Sequence, residues 1–218
     1  MIFRRIRERL LPSTSANKPG RIFLIGHNKC GTRSFVRLLR ANGYKSIHFG
    51  KGRTARRIQA NFTFSRPLLE GLDRFTGYAD LEVCGEFYAY RLFPQLDLQY
   101  PGSTFVYNKR DVNAWIQSRL NHSLRVKGSY ADRYLNRMRA AFNNPSLDID
   151  DLRLHWKQAW KRHETDLERY FTGRNNYFAF DIGVPEEQAK LCSFLRSRGY
   201  SIEGDALPHV GATRASEA

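Results

Sequence analysis

The segment GHNKCGTRS, residues 26–34, carries the densest chemistry in the chain. Gly26 and Gly31 form the glycine frame of a phosphate-binding loop. Such a turn aims backbone N–H groups and a helix N-terminus at one point, which makes an anion site. A loop built for ATP continues with Lys and then Ser or Thr, whose hydroxyl holds Mg²⁺. Thr32 and Arg33 stand in those places here, and the lysine comes earlier, at Lys29. An arginine in the metal-ligand position repels a divalent cation, whereas Lys29 and Arg33 together can neutralise an anion with no metal. The spacing therefore describes an anion cradle that has dropped magnesium. Cys30 suggests a rival, because low-pKa thiols also sit at helix N-termini. A phosphatase-type loop would place its arginine at position 36, which is Val36, so Cys30 reads as a small filler.

The elements that must position this loop follow from the pattern around it. RIFLIG, residues 21–26, is a short apolar run that reads as a buried parallel strand. SFVRLLRANGY places Phe35, Leu38 and Leu39 at helical spacing, with Asn42-Gly43 as its stop. KSIHF is a second strand, so strand, loop, helix and strand make a βαβ unit and a parallel sheet. Residues 51–80 give a poor signal: a basic segment, then helix and loop over RPLLEGLDRFTGYAD. LEVCGEF reads as a third strand, YRLFPQLDLQYPG as a helix closing at Pro101-Gly102, and STFVYNKRD as a buried strand. VNAWIQSRL is helical, as are residues 130–170, interrupted at Asn143-Asn144-Pro145. YFAFDI is a last strand, and PEEQAKLCSFLRSRGY a helix with Pro185 at its start and Gly199 at its end. The expected fold is α/β: a P-loop NTPase-like three-layer fold whose central, mostly parallel sheet is flanked by helices.

The loop resembles the 5′-phosphosulfate loop of the cytosolic-type and bacterial sulfotransferases, whose pattern is roughly Lys-x-Gly-Thr-Thr-Ser. Lys29, Gly31, Thr32 and Ser34 match it, Cys30 fills the variable place, and Arg33 departs from it. The resemblance implies a donor, 3′-phosphoadenosine 5′-phosphosulfate (PAPS), with the bisphosphate PAP as product and no metal. It implies that Lys29 meets the bridging oxygen, where charge develops as the sulfuryl group leaves. Sulfotransferases also resemble one another at a strand ending in Arg-Asp with a Ser on the next helix, both toward the 3′-phosphate. Arg110 and Ser118 fall at those places, and a guanidinium with a helix-borne hydroxyl suits a phosphate. The Gly-rich clamp of the animal cytosolic enzymes is not visible; Arg174 and Arg214 are candidate substitutes. Sulfuryl transfer to a hydroxyl needs a base. His48 ends the second strand, on the edge where ligands of parallel sheets collect, and heparan-type sulfotransferases carry a Glu in a similar place. Asp80 and Glu86, flanking the third strand, are alternatives, while His155 and His163 read as structural.

The remaining composition bounds the partners. The 218 residues suit one α/β core, with residues 1–20 as a basic leader, amphipathic if helical, and 21–218 as the domain. The leader admits peripheral membrane contact, and no apolar stretch is long enough to span a bilayer. A net charge of +15 attracts polyanions, yet no helix-turn-helix, zinc-finger or RNP motif accompanies it, which disfavours nucleic acid as the main partner. Cys30, Cys84 and Cys192 are an odd set without a CxxC pair, which points to a reducing, cytoplasmic setting. The partners expected are a nucleotide donor and an acceptor, carbohydrate or lipid among the choices. The competing function is a P-loop kinase or nucleotide hydrolase, with Asp181 in YFAFD as its acid.

Overall fold

A computed structural model describes residues 19–83, 85–125 and 130–209. The basic leader up to residue 18, Cys84 and Arg214 lie outside the described residues. In chain order the elements are β1 (Ile22–Leu24), α1 (Thr32–Ala41), β2 (Ser46–His48), α2 (Arg53–Thr63), β3 (Gly77–Ala79), β4 (Glu82–Val83), β5 (Phe87–Tyr88), α3 (Phe93–Gln99), β6 (Thr104–Lys109), α4 (Val112–Arg125), α5 (Tyr130–Ala141), α6 (Ile149–Phe171), β7 (Tyr177–Asp181) and α7 (Pro185–Ser197). Short 3₁₀ turns, Gly50–Gly52 and Ala89–Leu92, lead into α2 and α3.

Five strands form one sheet in the order β2-β3-β1-β6-β7, and every pairing is parallel. Parallel strands need crossovers, and these crossovers cover both faces, so the strands are apolar on both sides. β1 shows this alternation. Phe23 and Ile25 face a core with Tyr78, Phe105, Tyr107, Ala55, Ile58, Leu96 and Leu167, supplied by α2, α3 and the C-terminal half of α6. Ile22 and Leu24 face the opposite core with Phe35, Leu39, Leu191 and Leu195, supplied by α1 and α7. Helices, sheet and helices make the three expected layers. A third cluster joins Trp115, Ile116, Tyr134, Leu135, Trp156 and Trp160 of α4, α5 and α6, and Cys30 of the loop packs into it. Burying one such large side chain contributes about 1.5–3 kcal/mol, so this cluster anchors the loop.

One expected element is placed differently. LEVCGEF does not enter the sheet; Glu82–Val83 and Phe87–Tyr88 pair antiparallel as a separate hairpin. The third sheet strand is Gly77–Ala79, which lies between β1 and β2. Gly77 lets it in: a Cβ there would come within 2.5 Å of Leu39 Cδ1 and of Ser46 Oγ. The basic segment with little periodicity proves helical, as α2, whose Ala55 and Ile58 are buried.

Candidate active site

The loop after β1 owes its shape to hydrogen bonds on its carbonyls. Asn28 O accepts from Trp115 Nε1 at 2.9 Å, Lys29 O from an Arg110 N–H at 3.1 Å, and Cys30 O from Asn108 Nδ2 at 2.6 Å. In a trans peptide the next N–H points opposite to its carbonyl. Tying back these carbonyls therefore turns the N–H groups of Lys29, Cys30 and Gly31 away from Trp115, Arg110 and Asn108. That helix begins at Thr32 with no side-chain cap and no acidic residue in its first turn, so its positive end is left for an anion. Gly31 is required here. Its φ is +74°, and a Cβ would lie 1.6 Å from Ile182 Cδ1. Gly26 is required by contact, since a Cβ would lie 2.3 Å from Asn108 Oδ1. Lys29 itself sits at φ +65°, a strained conformation for a non-glycine residue and one that clusters at functional sites.

The next polar group joins the loop to the sheet edge. Thr32 Oγ1 lies 2.9 Å from His48 Nε2, and the same nitrogen lies 3.3 Å from Asp80 Oδ2. His48 ends β2 and Asp80 follows β3, which are neighbours in the sheet, so both arrive at its C-terminal edge. Burial, with Arg33 and Arg40 nearby, holds the His48 imidazole down to about 4. Burial and then the adjacent Glu82 push the Asp80 carboxyl up to about 7, against the pull of Arg119, Lys29 and Arg33. Near neutrality His48 is uncharged and Asp80 is poised to gain or lose the proton of the pair. Asp80 Oδ1 is buried with no hydrogen-bond partner, and Asp80 stands at φ +57°. An unpaired carboxylate oxygen on a strained residue suits a proton acceptor better than a structural brace.

The other expected residues fall in three places. Arg33 is exposed at the start of α1, and Ser34 is buried in its first turn. Arg110 follows β6 beside the loop, with one N–H on Lys29 O, and the half-buried Ser118 lies further along α4. Glu86 lies apart, between β4 and β5, where Arg56 approaches at 3.6 Å and Arg137 donates to it. Arg174 is engaged at the opposite, N-terminal edge of the sheet, with Asp97 at 3.0 Å and stacked over Tyr170. Asp181 accepts from Gly183 N at 2.7 Å and so caps its own turn. Burial pushes the Cys30 thiol well up, consistent with a filler and not a nucleophile. His163 is buried, with Nε2 2.7 Å from Ile25 O, as a structural histidine would be. Among the described residues, no three of His, Cys, Asp or Glu converge as a metal-ligand set.

Sequence reasoning missed the residues that hold the site. Asn108 braces Gly26 N and Cys30 O, and Trp115 braces Asn28 O. Glu82, 2% exposed, accepts from Asn28, Arg119 and Tyr134. An asparagine inside the apolar run TFVYN was the available signal, because a buried amide in a strand needs partners.

A parallel five-stranded sheet covered by helices on both faces, with a glycine-framed loop running from its first strand into α1, is a P-loop-like α/β architecture. The profile of a sulfotransferase domain matches residues 21–198, and the chain belongs to that sulfotransferase family. Among solved structures, a sulfotransferase from Alicyclobacillus acidocaldarius has a similar fold, with a TM-score of 0.50 and 16% identity over 92% of this chain and 88% of that one. No curated protein matches the chain. Family membership supports sulfuryl transfer, which requires a nucleotide donor and a separate acceptor.

Proposed function

We propose that the chain transfers a sulfuryl group from PAPS to a hydroxyl or amine of an acceptor, carbohydrate or lipid among the candidates, and releases PAP. The observation that carries the reading is the loop, whose carbonyls at Asn28, Lys29 and Cys30 are held by Trp115, Arg110 and Asn108 and which leads into the start of α1, where no side chain caps the helix. This donor set fits a phosphosulfate: amides, a lysine and an exposed arginine, with the Arg110–Ser118 pair alongside for the 3′-phosphate. PAPS supplies the activated sulfur. Lys29 and the loop amides stabilise the negative charge that the 5′-phosphate oxygen gains as its bond to sulfur breaks. Asp80 takes the acceptor proton while the acceptor oxygen or nitrogen forms its bond to sulfur. His48, uncharged and tied to Thr32, orients that carboxylate.

The base is assigned to Asp80 in preference to His48 because a group near pH 7 is matched to proton abstraction, whereas an imidazole near 4 is a weak base. Glu86, engaged by two arginines away from the pair, is the weakest of the three candidates. A cytoplasmic setting belongs to the same proposal; among the described residues no helix is long and apolar enough to cross a membrane. Purified protein given PAPS and a panel of sugars, phenols and amines should release PAP and form a sulfated product. Turnover of ATP with Mg²⁺ and none of PAPS would favour the kinase instead.

A further inference from the structure

Packed against the loop lies a buried charged cluster that the chemistry proposed for transfer does not use. Glu82 and Arg119 are each 2% exposed and meet at 2.8 Å. A buried ion pair gains little stability over apolar side chains of the same size, because desolvating both charges offsets their attraction. What the pair does contribute here is geometry. A single oxygen, Glu82 Oε1, accepts from Asn28 Nδ2 at 2.7 Å, Arg119 at 2.8 Å and Tyr134 Oη at 2.6 Å. Those three donors come from the loop, α4 and α5. The Arg119 guanidinium is in turn boxed by Trp115, Tyr134 and Trp156, each ring centre 4.7 Å away. Asn28 is thus gripped twice: its amide by Glu82 and its carbonyl by Trp115, the ring that packs on Arg119.

We infer that Glu82 is a positioning residue for the donor site: through Asn28 it sets the peptide plane that aims the Lys29 N–H, and hence the 5′ half of the cradle. The inference rests on the reading of the loop as a 5′-phosphosulfate site. Glu82 also stands two residues from Asp80 and helps raise its carboxyl, so one buried charge serves both the donor loop and the base.

The test compares two probes in the full-length protein: PAP, and adenosine 3′-monophosphate, which lacks the 5′-phosphate. Glu82→Gln removes the charge, Asn28→Ala removes the link, and near-UV circular dichroism checks the fold of each. Loss of a charge-assisted bond on the loop should weaken PAP by about 10-fold or more, with adenosine 3′-monophosphate changed by less than about twofold. Glu82→Gln should also move the ionisation of PAPS turnover to lower pH, an effect that a merely structural role would not produce. If Glu82→Gln does not fold, Asn28→Ala carries the binding comparison alone. Equal weakening of both probes, or unchanged PAP binding in folded variants, would overturn the inference. A wild-type protein that ignores PAP would instead overturn the donor reading itself, and this inference with it.

Discussion

Among the residues, Asp80 and His48 stand in contact as rival proton acceptors, and Lys29 is the cation proposed to meet the leaving oxygen. Asp80 titrates near 7 and His48 near 4, so the pH profile separates them. If Asp80 is the base, PAPS turnover rises with pH through a single ionisation near 7; if His48 is, turnover is already level above about pH 5. Stability runs the other way. The Asp80 pKa is raised from an unfolded value of about 3.9, so the folded state holds an extra proton between about pH 4 and 7. This group's share of stability is therefore lost as pH rises through that window, and Asp80→Asn should flatten the slope seen in urea titrations. For Lys29 the expectation concerns the transition state. Lys29→Ala should lower turnover by about 100-fold or more while PAP binding falls much less, because its contact strengthens as charge develops. Equal losses in turnover and PAP affinity would make Lys29 a ground-state binder only.

The elements decide whether those residues can meet at all. β1 delivers the loop, β2 and β3 deliver His48 and Asp80, and β6 delivers Arg110, all at the C-terminal edge of one parallel sheet. Gly31 is the point where loop, α1 and the end of β7 touch. Gly31→Ala should abolish PAP binding through both its φ and the Ile182 clash. The double variant with Ile182→Ala should recover only part, because the backbone strain of about 1–2 kcal/mol remains. Full recovery would mean that contact alone constrains the loop. Much of this arrangement was legible in the sequence. RIFLIG, the glycine frame and STFVYNKRD are strong local patterns, and His48 at a strand end follows from them. The misplaced strand has a physical cause: Gly77–Ala79 is too short for periodicity, while LEVCGEF has strand-like residues but folds into a hairpin around Gly85. Asn108 stands out as a polar residue in an apolar strand, but its partners, and the roles of Glu82 and Arg119, were not legible, since they depend on contacts far along the chain.

For the whole molecule, a +15 charge on 218 residues fits a protein whose ligand carries several negative charges. The two helical layers and the α4–α6 cluster enclose the sheet, and the cations near the loop and β6 gather on one edge of it. On the proposed reading this edge binds a 3′,5′-bisphosphorylated adenosine without metal. The direct test is calorimetric or thermal-shift titration of the purified chain with PAP and, separately, with ATP and Mg²⁺. At about 100 times Kd, PAP should add roughly 2.7 kcal/mol of stability, or a few degrees in Tm for a chain of this size, with no dependence on magnesium. ATP with Mg²⁺ should add much less. An equal response to both nucleotides, or a PAP response that requires Mg²⁺, would rule out a metal-free PAPS site at this edge.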